Sequence, residues 1–191
     1  MSFELGRKLV HLASGLIPLI YLWLPLTRQE ALTILGILAS PFLALDLLRL
    51  YLPSLNEAFC SYFGWGMRDR ERTRPTGAFY ALVGAWGSIL VFEKQIACAA
   101  LLILAFGDTA ASLAGKAVRG APLVGEKTAI GSLAMLITGS FVALPFFAPG
   151  IAVGGAVVAA VVELLPLPID DNLTVPLAAG FAFTLLRAAS A

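Results

Sequence analysis

An aspartate at position 108 stands where an apolar segment gives way to a basic one, in "ILAFGDTAASLAGKAVRG" at 103–120. An ionised carboxylate at membrane depth is costly, so Asp108 requires a cation, a partner or a water-filled site. On a continuous helix Asp108, Ser112 and Lys116 share one face, because they are four residues apart. The pattern predicts a charged site on that face.

Further acids are predicted at the same depth. Glu163 comes near the end of a later apolar segment, and Asp170, Asp171 and Asn172 follow it. Asp108 and Glu163 each lie roughly 20 Å along their helices from one membrane face, at 1.5 Å per residue. Four carboxylates and one amide are therefore expected at one level, toward the opposite face.

A glycine-rich loop, "GKAVRGAPLVGEKTAIGS" at 115–132, follows the Asp108 segment. Glycines and basic residues alternate along it: Gly115, Lys116, Arg119, Gly120, Gly125, Lys127 and Gly131. Thr128 is placed to cap the next helix, whose first N–H groups would attract an anion. Flexible backbone, cations and a helix start suit a polyphosphate, although the spacing is not that of a Walker A motif.

Carboxylates beside such a loop indicate Mg²⁺ and a nucleoside triphosphate, since Mg²⁺ usually binds one or two carboxylates together with substrate phosphates. Two other interpretations remain open. Asp108 and Glu163 would carry protons or ions in a transporter, or Asp108 and Lys116 would form a structural pair. Acids clustered at one end, rather than at the midplane, favour phosphate chemistry over transport.

The composition indicates what positions these residues. Of 191 residues 59% are hydrophobic and 13% charged, whereas a soluble domain is about half apolar and about a quarter charged. We expect an all-α polytopic membrane protein, a single catalytic domain over 1–191. With about 20 residues per crossing, seven spans and a short interfacial helix near 54–65 are predicted. The spans lie near 9–26, 30–51, 76–92, 95–115, 128–147, 150–165 and 173–189.

Charge sets the predicted orientation. With the N-terminus inside, ten of the thirteen lysines and arginines are cytoplasmic, and Arg28, Lys94 and Arg187 are outside. This agrees with the positive-inside rule. It predicts a cytoplasmic active site and an outside C-terminus, in the cell's inner (plasma) membrane. The simplest interpretation of the basic run 68–74 is that it only sets this topology or touches anionic lipid.

Two capping boxes are predicted at helix starts. Thr27 with Glu30 would open the second span, and Ser54 with Glu57 would open the interfacial helix, since a polar cap followed three residues later by glutamate is typical of a helix N-terminus.

Three segments carry a family resemblance: "FGDTAASLAGK", "GEKTAIGSLAMLITG" and "ELLPLPIDDNLTVPLAAG". They resemble, in order, signature segments of the CTP-dependent lipid-alcohol kinases, which include dolichol kinase, phytol kinase and CTP-dependent diacylglycerol kinase. Phosphatidate cytidylyltransferases are more distant relatives of that family. Two weaker segments, "ELGRKLVHLASG" and "RPTGAFYALVG", also fit, so the resemblance covers most of the chain.

The resemblance implies roles for matching positions. Asp108, Asp170 and Asp171 would bind Mg²⁺, with Asp108, Asp171 and Glu163 as the catalytic acids. The implied nucleotide-binding residues are Gly115, Lys116, Lys127, Thr128, Gly131 and Ser132. Family members often carry glutamate where this chain has Ile130, so no role is assigned there.

The remaining positions have two interpretations each. Arg7, Lys8 and His11 would border the active site, as the resemblance suggests, or would be interfacial anchors. Asn172 would complete the site, or would only cap the seventh span.

The predicted activity is transfer of the γ-phosphoryl group of CTP to the hydroxyl of a membrane lipid alcohol, with release of CDP. Polyprenol, phytol-type prenol and diacylglycerol are all open as acceptors. The alternatives are a phosphatidate cytidylyltransferase, which attacks the α-phosphorus, an ion or metabolite transporter, and a non-catalytic scaffold. CTP, the lipid alcohol and the bilayer are the expected partners, and nucleic acid is not. Small residues at 77, 81, 84 and 88 would pack helices within one chain or in a homo-oligomer.

Overall fold

The computed structural model describes residue 8 and residues 11–118, 122–125 and 127–190. Arg7, one of the predicted site residues, lies outside the described residues. The described residues form eight helices. They are α1 (His11–Trp23), α2 (Arg28–Leu48), α3 (Pro53–Phe63), α4 (Gly77–Val91), α5 (Lys94–Ala117), α6 (Ala129–Ala143), α7 (Pro149–Leu164) and α8 (Asp171–Ala189).

Helix α5 is the central element of the bundle. Of an 18-residue apolar stretch of α5, 72% is buried, whereas the corresponding stretches of α2 and α8 are 22% and 33% buried. Helices α1, α4, α6, α7 and α8 all pack against it. Residues 96–105 are buried almost without interruption. Asp108 follows this stretch after two further residues, so the packing of the core sets its position.

The helix starts test the predicted caps. The Thr27 side chain accepts a bond from the Glu30 N–H, and the Glu30 carboxylate accepts one from the Thr27 N–H, which confirms the first capping box. The second is wrong. Helix α3 begins at Pro53, and its N-cap, Leu52, makes no side-chain bond. Proline suits the first helical position, because its φ is already helical and that position needs no N–H partner.

The outer surface and the helix lengths suit a bilayer. Within the described residues, the helices α2, α5 and α8 are long and apolar enough to cross a membrane. The other four predicted spans coincide with apolar helices of 10–17 residues. Large apolar side chains are exposed on the outside, among them Trp23, Leu38 and Phe141. These features indicate an integral multi-pass membrane protein.

A small β-hairpin departs from the all-α expectation. Strands β1 (Pro122–Val124) and β2 (Lys127–Thr128) pair antiparallel. Gly125, at the turn, has a φ of 56°, a conformation that glycine adopts without steric cost. Strands of three and two residues are too short to produce an alternating pattern, so the sequence predicted only a loop here. The hairpin places Lys127 and Thr128 at the start of α6.

Helices α4 and α8 approach closely through small residues. A Cβ added at Gly84 would lie 2.5 Å from the backbone oxygen of Asn172, and one at Gly77 would lie 3.0 Å from Asn172 Nδ2. This part of the predicted small-residue stripe therefore packs within the chain.

Replacing Gly84 by alanine is expected to destabilise the protein, because a backbone oxygen cannot yield without moving α8. Overpacking of this kind costs about 1–3 kcal/mol. Thermal unfolding in detergent measures the loss. Gly150→Ala is the matched control, since a Cβ there meets nothing within 4 Å. Equal melting temperatures for the two variants would contradict the close contact.

Candidate active site

Three helices bring three carboxylates together at one end of the bundle. Asp108 lies in α5, Glu163 is the second-last residue of α7, and Asp171 is the first residue of α8. One carboxylate oxygen from each lies within 4.8 Å of the other two. Residues distant in sequence thus form one acidic cluster, at the level where the sequence predicted that acids would meet.

Lys127 of β2 lies among these acids. Its Nζ is 3.1 Å from Glu163 Oε1 and 3.5 Å from Asp171 Oδ2. It also donates to the backbone carbonyl of Glu163. Glu163 is almost fully buried, with 8% of its side chain exposed. A cation so placed stabilises carboxylates that would otherwise repel one another.

The turn of α5 that carries Asp108 is π-helical, from Ile103 to Asp108. His11 Nε2 lies 3.1 Å from the Leu104 carbonyl and 3.3 Å from Asp108 Oδ2. Thr109 Oγ1 donates to the Ala105 carbonyl at 2.7 Å. Side chains therefore bond two carbonyls of the widened turn. Single π-helical turns are frequent at functional sites, and this one aims Asp108 at the cluster.

A cavity of about 840 Å³ opens beside the cluster. We call it the polar cavity. The three acids of the cluster line it, as do all six residues predicted to bind nucleotide: Gly115, Lys116, Lys127, Thr128, Gly131 and Ser132.

The start of α6 forms part of the polar cavity. Thr128 caps the helix, as predicted, by accepting a bond from the Gly131 N–H. A Cβ at Gly115 would lie 2.7 Å from Thr128 Oγ1, and one at Gly131 would lie 2.9 Å from the Ala111 carbonyl. A side chain at Gly115 would therefore displace the capping hydroxyl of Thr128, and one at Gly131 would press on the backbone of α5. Ser132 Oγ is buried and has no hydrogen-bond partner among the described residues.

Asp170 is not part of the acidic cluster. Its carboxylate lies 3.6 Å from Arg68 Nη1 and 3.3 Å from Arg70 Nη2. Burial raises the pKa of the Asp170 carboxyl, and the charge of Asp171 raises it further. Both arginines also line the polar cavity, so the basic run 68–74 reaches the site.

The cap of α8 is Asp170, which accepts a bond from the Asn172 N–H. The interpretation of Asn172 as the cap is wrong. Its side chain instead donates to the Gly77 carbonyl at 3.2 Å and to Asp170 Oδ1 at 2.8 Å. Asn172 thus joins α8 to the start of α4.

A buried ion pair that the sequence analysis missed holds the run 68–74 in place. Arg49 Nε donates to Asp46 Oδ1 at 2.6 Å, and both side chains are fully buried. Arg49 Nη2 donates to the carbonyls of Glu71 and Arg74, both at 2.9 Å. The sequence did contain a signal for this pair. Asp46 lies inside the predicted span 30–51 and Arg49 follows three residues later, and a charge at membrane depth requires a partner, as argued for Asp108.

A second cavity, of about 440 Å³, adjoins the polar one. We call it the apolar cavity, since most of its exposed wall is carbon. Lys8 and His11 line it, together with Ile17, Phe42, Phe59, Phe63, Ala81 and Leu82. Among the residues that the structure describes, five line both cavities: Arg68, Glu71, Asp108, Ser112 and Asp171. The two spaces thus meet at the acidic cluster.

Comparison with known proteins confirms part of the resemblance. The chain is 26% identical over 140 residues to CTP-dependent diacylglycerol kinase 1 of Schizosaccharomyces pombe, which covers 72% of this chain and 64% of the kinase. It is 33% identical over 99 residues to the enzyme of the same name from Eremothecium gossypii, covering 51% and 31% respectively. The chain therefore spans less than two thirds of either kinase.

An uncharacterised protein of Rickettsia prowazekii aligns over nearly the whole chain. It is 27% identical over 188 residues, 92% of this chain and 91% of that protein. No family model and no solved structure matches the chain. The chain is thus a distant homologue of CTP-dependent diacylglycerol kinases.

Proposed function

We propose that the protein is a membrane-embedded, CTP-dependent kinase that phosphorylates the hydroxyl of a lipid alcohol. The observation that carries the proposal is the cluster of three carboxylates and Lys127 in the wall of the polar cavity. The similarity to CTP-dependent diacylglycerol kinases supports CTP as donor. It also favours diacylglycerol among the open acceptors, ahead of dolichol, other polyprenols and phytol.

The acidic cluster fits Mg²⁺ by the chemistry of its donors, because hard carboxylate oxygens are the ligands this ion prefers. Asp108, Glu163 and Asp171 would hold it, and it would offset the charge of the CTP phosphates. Asp170, which the resemblance implied as a third aspartate ligand, pairs with Arg68 and Arg70. We propose that it positions those arginines beside the nucleotide.

The polar cavity supplies groups for the phosphates. Lys127 and Lys116 provide positive charge, and the capped start of α6 directs backbone N–H groups toward an anion. Ser132 Oγ, buried and lacking a partner among the described residues, is available to the nucleotide.

The reaction conserves atoms and charge in one displacement. The acceptor oxygen forms a bond to the γ-phosphorus, the bond from that phosphorus to the β–γ bridging oxygen breaks, and CDP leaves. The hydroxyl proton passes to a carboxylate. Asp171 lines both cavities whereas Glu163 lines only the polar one, so Asp171 is better placed than Glu163 to accept the proton. Catalysis here is mainly positioning and neutralisation of charge.

We propose the predicted orientation, with N-terminus and active site cytoplasmic and the C-terminus outside. Its support is the separation of charge. Arg68, Arg70, Lys116 and Lys127 line one cavity. The three basic residues assigned to the outside contact the α1–α2 and α4–α5 connections instead: Arg28 donates to the Phe92 carbonyl, Lys94 to the Leu24 carbonyl, and Arg187 to Glu93.

A panel of acceptors tests the activity. Purified protein in detergent receives Mg²⁺ and γ-labelled CTP with diacylglycerol, phytol, a short prenol or a dolichol. We expect label in one alcohol, with diacylglycerol first, and much less when ATP or GTP replaces CTP. A protein that labels no alcohol, yet moves ions or metabolites across proteoliposomes without nucleotide, would refute the proposal in favour of a transporter.

A further inference from the structure

The apolar cavity lies beside the acidic cluster, outside the space assigned to the nucleotide. Helices α1, α2, α3 and α4 enclose it with aliphatic and aromatic side chains. Ligand pockets are clefts of about 300–1,000 Å³ lined mainly by apolar side chains, and this cavity of about 440 Å³ falls in that range. Its wall is shared with the polar cavity at Asp108, Ser112 and Asp171.

We propose that this cavity binds an acyl chain of the diacylglycerol acceptor and holds its hydroxyl at Asp108 and Asp171. The inference rests on the proposed function. A phosphoryl acceptor must bring its oxygen to the γ-phosphorus while its chain stays out of water. An apolar space that ends at the same carboxylates as the nucleotide cavity meets both requirements. A water-soluble acceptor would have no use for it.

The walls of the apolar cavity are firmly built on the aromatic side. The rings of Phe42 and Phe59 are 6.3 Å apart and those of Phe59 and Phe63 are 4.8 Å apart. The Arg49 guanidinium lies 4.6 Å from the Phe59 ring centre. The buried Asp46–Arg49 pair, which holds the basic run 68–74 in place, thus also supports this wall. The proposed acyl-chain site and the proposed nucleotide site therefore share one scaffold.

On α4 the wall consists of small or aliphatic side chains. Ala78, Ala81 and Leu82 are three and four residues apart, on one helix face, and all line the cavity. Alanine at 78 and 81 leaves the space that a chain would fill. A bulky residue at position 81 would occupy that space without touching the polar cavity, since Ala81 does not line it.

Ala81→Phe tests the assignment. Transfer from CTP to a long-chain diacylglycerol is expected to fall about tenfold or more, because a packed side chain excludes the acyl chain. The affinity for CTP is expected to stay unchanged. Ala58→Phe on α3 is the matched control, since Ala58 is exposed and lines neither cavity. Full transfer by Ala81→Phe would overturn the inference and leave the kinase activity standing.

A photolabelling experiment on the wild type does not depend on how the variant folds. Diacylglycerol with a diazirine on one acyl chain is expected to label residues lining the apolar cavity, and unlabelled diacylglycerol to compete. Label confined to the outer faces of α2 or α8 would overturn the inference, as would labelling of the cavity by a polyprenol probe alone. A wild type that transfers phosphate to no lipid refutes the proposed function instead, while photolabelling still reports on the cavity.

Discussion

Asp108→Asn is expected to lower phosphoryl transfer by roughly 10²–10³-fold, the range seen when one charge-stabilising group is removed from an active site. Asparagine keeps the size of the side chain but removes its charge. The acidic cluster would lose a proposed metal ligand, and the wall between the two cavities would lose one of its carboxylates. Initial rates with saturating CTP and diacylglycerol measure the effect.

Folding must be separated from chemistry in this comparison. Melting temperatures of the wild type and Asp108→Asn are expected to be similar, because asparagine keeps the shape of the side chain and the bond between His11 and the Leu104 carbonyl does not involve it. Glu57→Gln is the matched control: Glu57 is an exposed acid of α3 that lines neither cavity, and its activity should equal the wild type's. Activity of Asp108→Asn at the control's level would mean that the acidic cluster is structural.

Arg49→Met is expected to cost about 3–5 kcal/mol in the free energy of unfolding, the range for breaking a buried pair and leaving one charge unpaired. Asp46 would keep only its bonds from Thr76, whose N–H and Oγ1 lie 2.9 and 3.1 Å from Asp46 Oδ2. The carbonyls of Glu71 and Arg74 would lose their donor. Protein that still folds is expected to bind CTP more weakly, since Arg68 and Arg70 would lose their anchor.

Arg187→Met provides the comparison for Arg49. Arg187 pairs with Glu93 at 2.6 Å, but their side chains are 40% and 62% exposed. Exposed pairs contribute about 0–1 kcal/mol, so this variant should unfold almost as the wild type does. Denaturant unfolding in detergent and CTP titration measure both effects. Similar losses of unfolding free energy in Arg49→Met and Arg187→Met would show that the buried network stabilises the protein no more than an exposed ion pair does.

The helices were predictable because each apolar run is long and ends in local signals. The Thr27–Glu30 box and the Thr128 cap involve residues three apart, so sequence alone specifies them. The Ser54 cap failed because Pro53 competes for the same helix start. The hairpin of β1 and β2 was missed, because strands of three and two residues are too short to show a periodic pattern.

The candidate site was predictable in part. Depth along the helices placed Asp108, Glu163 and Asp171 at one level, and the structure brings them together. Depth does not specify which side chain turns toward which neighbour, so the pairing of Asp170 with Arg68 and Arg70 was not foreseen. The Asp46–Arg49 pair had a local signal that was overlooked, whereas the bonds from Arg49 to the carbonyls of Glu71 and Arg74 form only in the folded chain. The apolar cavity likewise depends on the packing of four helices.

The central claim is tested most directly by following the γ-phosphorus and the α-phosphorus of CTP separately. Purified wild-type protein receives diacylglycerol, Mg²⁺ and CTP labelled in separate reactions at the γ- and α-phosphorus. We predict γ-label in the lipid and α-label in CDP, in equal amounts. α-Label in the lipid would contradict the account and indicate a cytidylyltransferase, and label in no lipid would show that the acidic cluster serves a different chemistry.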